Sequence, residues 1–315
     1  MTGLALPNLF LLGAPRCATT SFYDLLSRHP SIYCPTVKEP GYFTREDMRR
    51  EFWRSAPHLR SFEDYLRLYD SEDPRHVVGC DGSTSYLRST KAMQEIRTSL
   101  PDARAVAIVR DPVELVATYF AFLRHECWED ASSVEEAWRL QDQRREGKRL
   151  PAGARLPSSV IYADVALLGT QVRAARAIFG SDLRVFTLDD LKQSLAMVSD
   201  DVQRLVGVEP IDLGPLPRLN PARTSRLEWF NRQVKTPPKP IAQLRDGLKR
   251  TLGVASLGVR RRIEPLNSVQ VRYQMRPAFV QELRDYFSED VGILENETSR
   301  NLREEWGWTS PKPPG

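Results

Sequence analysis

Apolar residues in this chain come in short unbroken runs rather than in strict alternation with polar ones. Asn8–Leu12, Val77–Cys80, Ala105–Val109 and Leu183–Thr187 are four such runs. Val, Ile, Leu and Phe in continuous stretches predict strands covered on both faces, as in a parallel sheet. Between the runs the apolar spacing becomes helical. It predicts helices over Ser21–Arg28 after the first strand, Pro112–Arg124 after the third, Val165–Phe179 before the fourth and Leu195–Leu205 after it. Strands alternating with helices imply right-handed βαβ units. The expected fold class is α/β, a P-loop-like three-layer α/β/α arrangement around a central parallel sheet.

Past residue 208 the pattern changes. Glu209–Pro221 is rich in Pro and Gly, and the KTPPKP run at Lys235–Pro240 breaks any helix. Pro277 then opens a helix that carries Phe279, Leu283 and Phe287 on one face, and the TSPKPPG tail is expected to be disordered. The expected organisation is one domain over 1–315. Residues 1–208 form its α/β core, 209–308 a mostly helical or irregular C-terminal cover, and 309–315 a tail.

Composition narrows the function classes. The 315 residues are 41% hydrophobic and 27% charged, with a net charge of +4 from 45 basic and 41 acidic residues. That balance calls for no nucleic-acid partner and leaves room for a local basic cleft. Cys17, Cys34, Cys80 and Cys127 are far apart and lack CxxC spacing, so they read as reduced thiols rather than as a disulfide framework or a zinc site. The first residues lack the basic start of a secretory signal, and no apolar stretch reaches membrane length. A soluble cytoplasmic protein without a transmembrane segment is expected, and the Asn296-Glu297-Thr298 sequon then carries no glycan. Nothing in the pattern specifies an oligomer.

The densest chemistry lies in Gly13-Ala14-Pro15-Arg16-Cys17-Ala18-Thr19-Thr20-Ser21, between the first strand and its helix. A strand–loop–helix of this kind aims backbone N–H groups and the positive end of a helix at one spot, which suits a phosphate. Gly13 permits a sharp exit, small Ala18 permits close approach, Thr19, Thr20 and Ser21 bring hydroxyls, and Arg16 brings a fixed charge. A Walker A loop aligned on Gly13 would need Gly at Ala18 and Lys at Thr19. The basic residue stands early instead, so the loop suits an anion other than a Mg²⁺-bound triphosphate. The alternative is a tight turn capped by its hydroxyls. At the third strand's end, Arg110 occupies the edge where open α/β sheets bind ligands, Asp111 caps the next helix, and Thr118 lies two turns along it.

Together GAPRCATTSF and VRDPVELVATYF resemble the 5'-phosphosulfate loop and the 3'-phosphate motif of the sulfotransferases that use 3'-phosphoadenosine-5'-phosphosulfate (PAPS). Thr118 stands where that family usually has Ser. KEPGYF at Lys38–Phe43 is similar to the KEPxFF segment of the carbohydrate (heparan-type) branch, and DGSTSYL at Asp81–Leu87 to its EKxPSYF segment. LRVFTLDDL at Leu183–Leu191 and the stretch Leu302–Trp308 follow the same pattern. Two further departures concern charged positions. Gly82 replaces the Lys of EKxPSYF, and Arg16 replaces the more usual Lys of the first loop.

The resemblance implies PAPS as co-substrate, no metal, and a small-molecule or glycan acceptor. It implies a PAPS site built from Arg16, Cys17, Ala18, Thr19, Thr20, Ser21, Arg110 and Thr118, with Arg16, Glu39 and Lys38 catalytic. Sulfuryl transfer is expected to run as an in-line displacement, with Arg16 on the leaving oxygen, Glu39 as base and Lys38 tuning Glu39 or touching sulfate. A basic Glu39 calls for partial burial near Tyr42 and Phe43. The plain alternative makes Lys38 and Glu39 an exposed turn before Pro40.

Other residues are weaker candidates. His29 is placed at the end of the first helix, His58 and His76 in polar stretches, and His125 after the helix with Thr118, within reach of a cleft. Asp81 is a second candidate carboxylate, orienting or catalytic. Arg260-Arg261-Arg262 reads as a solvated charge run or an anion rim, and Tyr42, Phe43, Tyr86, Trp128 and Trp138 as core or as an acceptor lining. The loop is expected to lower the pKa of Cys17 without making it catalytic. Two rivals stand beside the enzyme: a kinase or NTPase with a degenerate P-loop, and a nucleotide-binding module without chemistry. The segments Glu46–Pro74 and Trp128–Pro157 carry no code for the acceptor.

Overall fold

Five strands, β1 (Pro7–Gly13), β2 (Ile32–Tyr33), β3 (Val78–Asp81), β4 (Arg104–Val109) and β5 (Leu183–Thr187), pair in parallel in the order β2-β3-β1-β4-β5. The central strands are apolar on both faces, and Leu9–Leu12 and Ala105–Val109 are wholly buried. This computed structural model describes residues 6–53, 56–217, 223–225, 268–270 and 274–308. The KTPPKP run, Arg260–Arg262, the end of the Glu209–Pro221 stretch and the 309–315 tail lie outside the described residues.

The helices that matter are α1 (Thr19–Leu26), α2 (Thr90–Ser99), α3 (Pro112–His125), α4 (Leu168–Phe179), α5 (Leu195–Leu205), α6 (Pro277–Thr298) and α7 (Leu302–Glu305). The chain leaves β1 through α1 toward the β2 edge, and it leaves β3 through α2 toward β4. Right-handed crossovers running in opposite directions put α1 on one face of the sheet and α2 on the other. α4 packs against both α2 and β4, on that second face. The connections therefore reverse between β1 and β4, and the carboxyl ends of those two strands are where a sheet of this kind binds ligands. This is the α/β sheet with flanking helices that the pattern predicts.

The chain divides into two compact units. The first comprises the sheet, α1, α2, the first turn of α3, α4, α5, α6 and α7. In it α6 packs on α4 and buries Phe279, Leu283 and Phe287, the expected apolar face. Asp290 of α6 accepts from Gly169 N at 2.7 Å, Thr170 N at 2.8 Å and Thr170 Oγ1 at 2.7 Å, capping the start of α4. The second unit takes Val116–Tyr162 and Pro221–Met275. In it Arg144 and Glu129 form a fully buried ion pair of 2.7 Å, with Tyr162 donating to Glu129 at 2.8 Å. Arg223–Ser225 and Ser268–Gln270 pair there as an antiparallel ladder.

Several boundaries differ from the periodicity. α1 starts two residues earlier than expected, and the expected helix Val165–Phe179 breaks at Leu167 into Tyr162–Ala166 and α4. Leu167 has a non-helical ψ of 65°. The strand β2, two residues long, is too short to show any period.

Candidate active site

Four segments meet at the carboxyl edge of β1, β3 and β4. The first is the β1–α1 loop. Ala14 N still donates to Ile108 O of β4 at 2.7 Å before the chain turns away. Gly13 has φ +147°, and a Cβ there would stand 3.1 Å from Thr84 O and 3.2 Å from Leu87 Cβ, so the residue must be glycine. Arg16 and Ala18 take left-handed φ values of 62° and 60°. Ala18 caps α1 without a side-chain bond, so the capping residue does not cover the first amides of the helix. Thr19 and Ser21 are buried and Thr20 is half-buried. Cys17 is fully buried, its Sγ 3.5 Å from Pro15 O. Burial pushes its thiol up to about 12, against the expectation that the loop lowers it; Arg110 and Arg16 oppose that effect without outweighing it.

The second segment is the turn after β4. Arg110 donates from Nη1 to Arg16 O at 3.1 Å and pairs through Nη2 with Glu114 one turn on. Burial, and next the charge of Arg110, lowers the pKa of the Arg16 guanidinium below its ordinary value. Two cations that destabilise one another beside an uncapped helix start form an arrangement that an anion stabilises. The Nε of Arg110 is buried without an acceptor, so this guanidinium has donor capacity left for a ligand. Thr118 lies eight residues further along α3, in the second unit.

The third and fourth segments, 38–44 and 81–87, are stitched together. Gly82 N donates to Lys38 O at 3.1 Å, Gly41 N to Ser83 Oγ at 3.0 Å, and Thr44 and Ser85 share a hydroxyl bond of 2.8 Å. Lys38 Nζ bridges Glu39 Oε1 at 2.8 Å and Gly82 O at 3.1 Å. Thr84 Oγ1 donates to the other oxygen of Glu39 at 3.3 Å. A Cβ on Gly82 would stand 3.0 Å from the Tyr23 ring and 3.2 Å from Lys38 Cγ, so the lysine stem crosses close over the glycine. Lys38 and Glu39 thus form an oriented pair, although Glu39 is 49% exposed and lacks the expected burial. Tyr42 and Phe43 are buried instead with Tyr65 and Tyr86, as core.

Beneath this turn lies Asp81, the second candidate carboxylate. Asp81 is fully buried and accepts from Tyr65 OH at 2.8 Å, Tyr86 OH at 3.1 Å and Ser83 N at 2.9 Å. Burial raises its carboxyl to about 6 despite these bonds. Asp81 therefore orients the 81–87 segment from below. Its tyrosine partner Tyr65 comes from a stretch with no sequence signal.

Three of the histidines have bonding partners of their own. His29 is buried, accepts Ser31 N at Nδ1 and donates from Nε2 to Glu209 O at 3.1 Å, a structural pattern. His58 is bonded to Pro40 O at 3.2 Å, and His76 to Ser71 Oγ at 2.6 Å. His125 is the last residue of α3, buried in the second unit. Among the described residues no group of His, Cys, Asp and Glu is placed to hold a metal, and no helix is long and apolar enough to cross a membrane.

Comparison with known proteins bears on the family and the fold. Residues 7–163 match the model of the Sulfotransferase family. Carbohydrate sulfotransferase 15 of Mus musculus is 27% identical over 175 residues, covering 43% of this chain and 31% of that protein. The membrane-associated sulfotransferase kil1 of Dictyostelium discoideum is 26% identical over 119 residues, covering 38% of this chain and 23% of its own. The chain thus spans less than a third of the length of these relatives. The crystal structure of a sulfotransferase from Alicyclobacillus acidocaldarius superposes with a TM-score of 0.66 at 21% identity, over 95% of this chain and 98% of that one. At that identity the likeness concerns the fold.

Proposed function

Given that the chain belongs to the sulfotransferase family, we propose that it moves a sulfuryl group from PAPS onto an acceptor hydroxyl or amine. The observation that carries this is the Arg16–Arg110 pair at the β1/β4 switch point, beside the start of α1. Arg16, the amides of Ala18–Ser21 and the hydroxyls of Thr19, Thr20 and Ser21 take the 5'-phosphosulfate end. Arg110 takes the 3'-phosphate, and Thr118 belongs to the proposal on the strength of the resemblance alone. The Walker alternative lacks support, since Ala18 and Thr19 stand where its Gly and Lys are required.

In this account the acceptor O–H or N–H gives its proton to Glu39 as its heavy atom bonds to sulfur. The bond from sulfur to the nucleotide oxygen breaks, and 3',5'-ADP leaves. Arg16 offsets the charge that grows on the departing oxygen. Lys38, fixed on Gly82 O, holds the Glu39 carboxylate in place through its 2.8 Å ion pair. The names of the relatives support a carbohydrate acceptor. Four cysteines outside any disulfide, two of them buried, support a reducing, cytoplasmic setting.

Turnover of PAPS against a panel of sugar, phenol and amine acceptors tests the proposal. Glu39→Gln is expected to lower turnover by roughly 10²–10⁴-fold while leaving affinity for 3',5'-ADP intact. Unchanged turnover in that variant would remove Glu39 as the base, and no turnover with any acceptor would leave the chain as a nucleotide-binding module.

A further inference from the structure

The last described turn of the chain reaches back to the nucleotide site. α7 and the residues after it are tied to α6. Arg303 N donates to Glu295 Oε1 at 2.9 Å, the two side chains form an ion pair, Arg284 Nη2 donates to Gly307 O at 3.3 Å, and Trp308 N donates to Arg303 O at 2.8 Å. The Arg284 guanidinium stands 5.9 Å from the centre of the Trp308 ring. So held, Trp308 donates its indole Nε1–H to Asp111 Oδ2 at 3.1 Å, 197 residues away in sequence.

Asp111 is the residue next to Arg110, and it organises the turn that carries it. Its Oδ1 accepts Val113 N at 2.8 Å, and its carbonyl accepts Leu115 N at 2.8 Å. One carboxylate oxygen is used within the turn and the other by the C-terminal hook. Both lie in a buried setting that raises the carboxyl's pKa, an effect the Trp308 N–H opposes. Removing that donor leaves a part-buried carboxylate oxygen without its partner, which a turn relieves by shifting. A shift there moves Arg110, whose guanidinium must still meet Arg16 O.

We infer that Trp308 is a positioning residue, a latch that holds the Arg110 turn in the geometry that binds the 3'-phosphate of the nucleotide. The inference rests on the PAPS reading above. Its measure is the ratio of dissociation constants for 5'-ADP and 3',5'-ADP, which isolates the 3'-phosphate and is insensitive to general loss of stability. In the full chain Trp308→Phe keeps the ring packing and removes only the N–H. It is expected to shrink the ratio roughly threefold to tenfold while leaving the 5'-ADP constant unchanged. Arg110→Ala brings the ratio near one, and Trp308→Phe added to Arg110→Ala then changes nothing further, because the two act on one contact. Arg284→Ala loosens the hook without touching the turn and shrinks the ratio in the same direction, which keeps the test standing if Trp308→Phe does not fold. A ratio preserved in both hook variants, or additive losses in the double variant, overturns the latch alone. A wild-type ratio near one overturns the PAPS reading itself.

Discussion

At the scale of single residues, Asp81 and Gly82 set the 81–87 segment in opposite ways, one by charge and the other by lack of a side chain. The Asp81 carboxyl is raised by burial from its ordinary 3.8 to about 6, so the folded state holds its proton more tightly than the unfolded chain. Its contribution to stability is complete below pH 3.8 and is lost as pH rises through about 6. Asp81→Asn is expected to flatten that part of the stability–pH curve by roughly 3 kcal/mol, measured by denaturant unfolding between pH 4 and 7; an unchanged slope would remove Asp81 as its source. Gly82→Ala must push its Cβ against the Tyr23 ring and the Lys38 stem. A loss of about 1–3 kcal/mol is expected, with Lys38 displaced from Glu39. Stability equal to the parent would show that the crossing is loose. Of these features only part was legible in the sequence. Arg16, Arg110, Lys38 and Glu39 could be placed because each adjoins an apolar run or a recognisable short motif. The tyrosines around Asp81 could not, because Tyr65 reaches it from a segment whose spacing carries no period. The exposure of Glu39 stood only as the alternative of an exposed turn before Pro40, since burial is a property of neighbours brought from elsewhere.

At the scale of elements, strands covered on both faces advertise themselves by uninterrupted apolar runs, and β1, β3, β4 and β5 were readable within a residue or so. β2 was not, since Ile32–Tyr33 is held by its pairing with β3 and not by its own pattern. α2 went unread because only Ala92, Met93 and Ile96 of its residues are buried. The break at Leu167 likewise depends on something distant: the new helix start is capped by Asp290 of α6. Three bonds to one buried carboxylate predict that Asp290→Ala destabilises the first unit by about 2–4 kcal/mol. Thermal unfolding checks this, and amide exchange should rise first at Gly169 and Thr170. If exchange there is unaltered, the cap does not hold α4.

At the scale of the whole molecule, a net charge of +4 on 315 residues is too small to steer an anion by itself. The attraction has to be local, and the topology supplies it by reversing its crossovers between β1 and β4, where Arg16 and Arg110 end up side by side. The acceptor surface has no such rule behind it, which is why the donor side of the site could be argued from residues and the acceptor side only from the names of relatives. The central claim is that this switch point binds a nucleotide carrying a 3'-phosphate and no magnesium. Calorimetric titration of the full chain with 3',5'-ADP, with ADP and with ATP plus Mg²⁺ tests it most directly. The account predicts that 3',5'-ADP binds at least about tenfold more tightly than ADP, since a charge-assisted hydrogen bond contributes about 1.5–3 kcal/mol, and that Arg110→Ala erases the difference. Equal or tighter binding of ATP–Mg²⁺ would contradict it and return the loop at Gly13–Ser21 to the triphosphate-binding class.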